Sequence, residues 1–174
     1  SDSDDVLYLD SAVLVSNLLI TNADFEIGDP PEGWDTFDSK IEQESIIVKA
    51  GKRAMKITAN KTIFGDAGAS QNVFKPEYRG RTVTFGAWVM APSTNDKMQT
   101  LGIWDGVSVI YSPPIPHDGK WHWMTITQML DEKATELRVY GYVLTASNPD
   151  KDDVLYMDSA VLILGDYLPA LPKE

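Results

Sequence analysis

A chain of 174 residues, 43% hydrophobic and 24% charged, is long enough for one domain with a substantial core. Its net charge of −11 argues against nucleic acid or an anionic membrane as partner, because a polyanion would be repelled. It holds no cysteine, which removes disulfides and thiol chemistry, and no apolar run approaches the ~18 residues of a membrane span.

The chain opens on a stretch that recurs near its end. Residues 4–15 read Asp-Asp-Val-Leu-Tyr-Leu-Asp-Ser-Ala-Val-Leu-Val, and residues 152–163 read Asp-Asp-Val-Leu-Tyr-Met-Asp-Ser-Ala-Val-Leu-Ile. Ten of the twelve positions are identical at an offset of 148, and the two differences, Leu9/Met157 and Val15/Ile163, are conservative. The expected organisation is the terminal strand of an upstream repeat at 1–16, one module at 17–165, and a linker at 166–174. Either copy of the strand could fill the closing position, including in a neighbouring molecule, so self-association through 4–15 and 152–163 is expected.

Between the two copies, apolar residues recur with period two in short runs separated by turn clusters. Ile46, Ile47 and Val48, then residues 54–58, flank Ala50-Gly51-Lys52, a hairpin signal. Residues 81–90 alternate cleanly and stop at Ala91-Pro92, where proline cannot donate to a ladder. Residues 101–104 and 107–111 are joined by Asp105-Gly106, a hairpin dipeptide. Residues 122–129, 136–144 and 154–164 are further strands, while 131–135 could make one helical turn. Eight to ten strands with Gly, Pro, Asn and Asp turns predict an all-β chain, an antiparallel β-sandwich of the jelly-roll type.

Alternation also sorts faces. Leu137, Val139, Gly141 and Val143 are expected to face the core, leaving Arg138, Tyr140 and Tyr142 on the other face. Leu101 and Ile103 point inward and Trp104 outward. Flat aromatic faces with polar neighbours suit stacking on sugar rings, although aromatic residues also pack well on pleated sheets for purely structural reasons. Asp158 interrupts an apolar strand, where an unpaired carboxylate would cost several kcal/mol. It therefore meets a cation, points outward, or caps a nearby loop amide.

Several stretches resemble carbohydrate-binding modules of the family 4, 9 and 22 type. They are Asn17-Leu18-Leu19, Asn22-Ala23-Asp24-Phe25-Glu26 and Gly33-Trp34, then residues 51–58, Gln71-Asn72-Val73, residues 80–89, Gly119-Lys120-Trp121 and Leu155-Tyr156-Met157-Asp158. The resemblance implies a galactose-binding-like jelly roll and a non-catalytic module that binds a polysaccharide or glycan. It implies a structural calcium held by the carboxylates of Glu26 and Asp158 with main-chain carbonyls near Asp24, Ala50 and Arg53. It adds Phe64 to the ligand candidates Trp104, Tyr111, Arg138, Tyr140 and Tyr142, with Trp123 a further one. Trp34, Trp88 and Trp121 match positions assigned to core packing. The expected setting is a tandem array in a larger extracellular, cell-surface or virion protein. The competing reading is a structural, decoration or adhesin repeat that uses the fold for assembly.

Enzymatic signatures are missing. His117 and His122 lack zinc-ligand spacing, and there is no Gly-x-Ser-x-Gly elbow and no phosphate loop. With 26 acidic residues a glycosidase carboxylate pair cannot be found or dismissed by counting. The expectation is a chain without catalytic activity.

Overall fold

The structure, a computed structural model, describes residues 19–59, 66–144 and 153–166. The repeat at 4–15, the boundary at 17, the tail beyond 166 and Phe64 lie outside the described residues. Ten strands run in chain order: β1 (Asp35–Phe37), β2 (Ser39–Glu44), β3 (Ala54–Ala59), β4 (Asp66–Asn72), β5 (Thr82–Met90), β6 (Met98–Trp104), β7 (Val109–Tyr111), β8 (His122–Met129), β9 (Arg138–Leu144) and β10 (Val154–Leu164). One 3-10 turn, Pro76–Tyr78, is the only helical piece among the described residues.

The strands form two antiparallel five-stranded sheets, ordered β1-β4-β9-β6-β7 and β2-β3-β10-β5-β8. The β-sandwich with jelly-roll architecture expected from the period-two pattern is therefore the fold observed. The inner faces supply the core. Val139 and Val143 of β9 and Leu101 and Ile103 of β6 have no exposure, nor have Phe85, Ala87 and Val89 of β5 or Leu155, Met157 and Leu162 of β10. Gly141 belongs to this inner set because a Cβ there would stand 2.9 Å from Ile57 Cδ1 and 3.3 Å from Leu155 Cδ2. Its missing side chain lets the opposite sheet fill the space.

β10 lies between β3 and β5 and is interrupted by a bulge between Asp158 and Val161, with Ser159 at a φ of +48°. The extra residue shifts the later half of the strand, so that Asp158 and Val161 pair outward while Leu162 returns to the core.

Three local expectations are corrected. Ile46, Ile47 and Val48 form no strand: β2 is Ser39–Glu44, and 45–53 is a loop in which Ile46 is 90% exposed. The pairing of β2 with β3 already satisfies the sheet, so the apolar triplet has no ladder to join. Asp105-Gly106 opens a four-residue connection, with β7 starting at Val109. The buried Asp105 carboxylate takes the amides of Val107 and Ser108 at 2.9 and 2.7 Å and holds the wider turn. Trp88 is half-buried on the outer side of its sheet, paired with Trp123 at a ring distance of 5.8 Å. Trp121 is likewise half-buried, whereas Trp34 packs in the core against Phe25.

Candidate functional site: an aromatic groove on one outer face

The register of β9 against its neighbours sets the outer face of the first sheet. Arg138, Tyr140 and Tyr142 sit opposite Asn72, Ser70 and Gly68 of β4, and opposite Trp104, Gly102 and Thr100 of β6. Asp35 and Phe37 of β1 lie beyond Ser70 and Gly68, and Tyr111 of β7 lies beyond Gly102. The alternation seen in the sequence thus places the arginine–tyrosine stripe in the middle strand of a face rich in aromatic rings.

Tyr140 and Tyr142 stack at a centroid distance of 4.5 Å and an angle of 19°. Phe37 meets both edge-on, at 5.7 and 5.6 Å, and Tyr111 meets Tyr142 at 5.4 Å. Such edge-to-face arrangements favour the ring quadrupoles and fix each ring. Gly102 leaves room for this cluster, since a Cβ there would stand 2.5 Å from Tyr142 Cε2. Tyr142 is only 7% exposed, and burial, followed by its tyrosine neighbours, pushes its phenol far above the ordinary value. Burial also raises the Tyr140 and Tyr111 phenols, so all three stay neutral hydroxyls near pH 7. Tyr142 therefore supports Tyr140 and offers an edge, while Tyr140, half-buried, keeps ring surface toward solvent.

A groove of about 340 Å³ runs beside this cluster, lined by Asp35, Thr36, Phe37, Asp66, Ser70, Arg138, Tyr140 and Tyr142. Arg138 is held by Glu136, Nε to Oε2 at 3.1 Å. The groove combines an aromatic wall with hydroxyl, carboxylate and guanidinium groups, the mixture that orients a polyhydroxylated ligand. Of the seven sequence candidates, Arg138, Tyr140 and Tyr142 line it, while Trp123 lies on β8 of the other sheet. Trp104 and Tyr111 share its face but not its lining, and Phe64 falls outside the described residues. Sequence reasoning missed Phe37, Asp35, Asp66 and Ser70. The small alternating residues of β4 (Ala67, Gly68, Ala69, Ser70) gave little periodic signal, and only pairing brings β1 beside them.

The calcium candidates gather on the other sheet. Asp158 has no exposure, and its Oδ2 accepts the amides of Lys49 and Ala50 at 2.9 and 3.0 Å, with Ser159 Oγ donating to Oδ1 at 3.1 Å. Glu26 Oε1 accepts the amides of Lys52 and of Arg53, the latter at 3.0 Å, and Asp24 Oδ1 lies 3.4 Å from the Glu26 amide. Both acids thus meet the loop 45–53, one from the N-terminal segment and one from β10. Burial raises the Asp158 carboxyl above its ordinary value although hydrogen bonds from Ala50, Lys49 and Ser159 oppose it, whereas the Lys52 and Arg53 amides lower Glu26 against burial. A buried negative charge that hydrogen bonds do not fully offset suits a cation. The sides of Ala50 and Arg53 that face the acids are amides, not the carbonyls the resemblance implies. Among the described residues no group of three or more His, Asp or Glu could hold a metal.

The fold and the groove place the chain in a class: a jelly-roll β-sandwich with an aromatic, polar-rimmed outer face. No protein-family model and no curated protein matches it by sequence. Solved structures do. The chain is similar to the xylan-binding CBM22-1 domain of Paenibacillus barcinonensis Xyn10C (16% identity, TM-score 0.58, 81% of this chain and 90% of that one). It is similar to TmCBM61 in complex with β-1,4-galactotriose (15% identity, TM-score 0.56, 86% and 100%). It is also similar to part of the enzymatically active domain of bacteriophage CBA120 tailspike protein 4 (12% identity, TM-score 0.61, 84% of this chain but 21% of that one). What the chain shares with these structures is the β-sandwich fold.

Proposed function

We propose that this chain is a non-catalytic module that binds a glycan in the groove over β1, β4 and β9, within a larger extracellular, cell-surface or virion protein. The observation that carries the reading is Tyr140, braced by Tyr142 and Phe37, facing a cavity rimmed by Asp35, Asp66, Ser70 and Arg138. Two neighbours of the same architecture are described as xylan-binding and as a β-1,4-galactotriose complex, which supports the ligand class. With a net charge of −11 and two aspartates at the rim, neutral polysaccharides fit better than uronate-rich ones.

Affinity gel electrophoresis and calorimetry against xylan, β-1,4-galactan and an acidic control such as polygalacturonate test this. Binding to a neutral polymer that is lost in Tyr140→Ala is the expected result. No binding across a broad glycan panel would overturn it, and release of reducing ends by the purified chain would overturn the non-catalytic part. The second reading, a repeat used for assembly in a fibre or adhesin, draws on the likeness to a segment of a phage tailspike. It gains if the glycan panel is silent.

Calcium at the loop 45–53 belongs to the same proposal and rests on the buried charge of Asp158. The carboxylates of Glu26 and Asp158 would hold it. Added calcium is expected to raise the melting temperature and EDTA to lower it; identical melts would remove the ion from this account.

A further inference from the structure

The groove carries a charge pattern as well as an aromatic wall. Asp35 of β1 sits opposite Ser70 of β4, which sits opposite Tyr140 of β9, so this row across the sheet ends in a carboxylate. Asp66 opens β4 four residues before Ser70, a span of about 13 Å along the strand. Between these two levels Gly68 faces Phe37 on one side and Tyr142 on the other. The Phe37 and Tyr142 positions therefore lie between two exposed carboxylates that line the same cavity.

Among the described residues neither Asp35 nor Asp66 forms an ion pair. The one cation lining the groove, Arg138, is already held by Glu136 at 3.1 Å. After burial, the Asp66 charge helps to hold the Tyr111 and Tyr142 phenols above their ordinary value, so this carboxylate acts on the aromatic cluster itself. The face of an aromatic ring attracts a cation through its quadrupole, and a carboxylate attracts one by direct Coulomb force. Tyrosines flanked by unpaired acids thus favour the same sign of charge twice over.

A neutral sugar ring uses the aromatic wall for stacking and the carboxylates only as acceptors for its hydroxyls. A uronate is repelled. A sugar that carries a protonated amine draws on both features. We propose that the groove selects glycans containing free amino sugars, with ammonium groups on Asp35 and Asp66 and a ring stacked on Tyr140. This inference rests on the glycan-binding reading of the same groove and narrows it to a cationic ligand class. The two acids stand further apart than the width of one pyranose ring, so an oligosaccharide with at least two amines engages both.

Calorimetry on the full chain tests this with glucosamine and galactosamine oligosaccharides, each beside its N-acetylated form. Acetylation removes the charge and leaves the sugar backbone unchanged. The free amines are expected to bind about tenfold tighter than the acetylated forms at low salt. That advantage is expected to fall severalfold at about 1 M salt, where the screening length is about 3 Å. Asp35→Asn/Asp66→Asn is isosteric at exposed positions, and a thermal melt checks that it stays folded. In it the two forms are expected to bind within about twofold of each other. Equal Kd values for free and acetylated forms in the unaltered chain would overturn the proposal, as would a preference that survives the double substitution. If xylan or galactan binds through Tyr140 while free amines bring no advantage, the amino-sugar assignment fails and the glycan-binding reading stands. Silence from every glycan removes both.

Discussion

The two outer faces of the sandwich carry similar raw material and use it differently. On the first sheet Phe37, Tyr140, Tyr142 and Tyr111 form a cluster beside an open groove. On the second, Trp88 and Trp123 pack at 5.8 Å and Tyr156 is 7% exposed, but Lys49 of the loop 45–53 lies 4.5 Å over the Trp88 ring. The Lys49 and Ala50 amides in turn are anchored by Asp158, directly opposite Trp88 in the ladder. Period two puts aromatic residues outward on both sheets; a roof of backbone turns one face into structure and leaves the other as a site. An outward aromatic stripe is therefore half of an argument, and the other half is what covers it.

The largest expected effect breaks the roof. Asp158→Ala removes the buried carboxylate to which two part-buried loop amides donate, a loss of about 2–4 kcal/mol. That corresponds to a fall of roughly 5–15 °C in melting temperature for a chain of this size. A melt within a degree of the unaltered protein would mean the loop is not held there.

Next comes the open face. Tyr140→Ala removes the exposed ring and is expected to weaken glycan binding by about 2 kcal/mol, roughly thirtyfold in Kd, with a small change in melting temperature. Trp123→Ala is the matched change on the roofed face and should lower stability while leaving glycan affinity unchanged. Equal losses of affinity from both would erase the distinction between the faces.

Gly102→Ala is a subtler probe, because its Cβ meets the ring edge of Tyr142 and no backbone atom closer than 3.6 Å. Tyr142 must shift, and Tyr140 with it, so affinity is expected to drop several-fold with the fold intact. Calorimetry beside a thermal melt separates the two.

The smallest effect is in pH. The folded-state carboxyl of Asp158 is raised, so its contribution favours folding below its unfolded value of 3.8 and is lost as pH rises through the folded value. Asp105 has the opposite sign: burial raises it, but the amides of Ser108, Asp131 and Val107 outweigh burial and lower it. Its stabilisation is present above 3.8 and is lost as pH falls through the folded value. In urea melts with EDTA present, the unaltered chain should gain relative to Asp158→Asn as pH drops from 7 toward 4.5. A constant difference would show that Asp158 does not titrate in that range.

The sequence by itself determined the sandwich and the stripe. In β5, β6, β9 and β10 the inward residues are large and apolar enough for alternation to fix both strand and face. β8 and β10 begin and end where the pattern does. It also determined that the closing strand is written twice, a fact visible only as text. Tertiary pairing decided the rest. β4 turns Ala67 and Ala69 inward and Gly68 and Ser70 outward, differences too small in hydrophobicity to read locally. Phe37 reaches Tyr140 and Tyr142 only because β1 and β9 flank the same strand. Whether Asp158 met a cation or a loop amide was open in the sequence, since a one-dimensional pattern shows that a carboxylate is buried but not which distant backbone donors fold over it. Lys49 and Ala50, more than a hundred positions away, supply those donors.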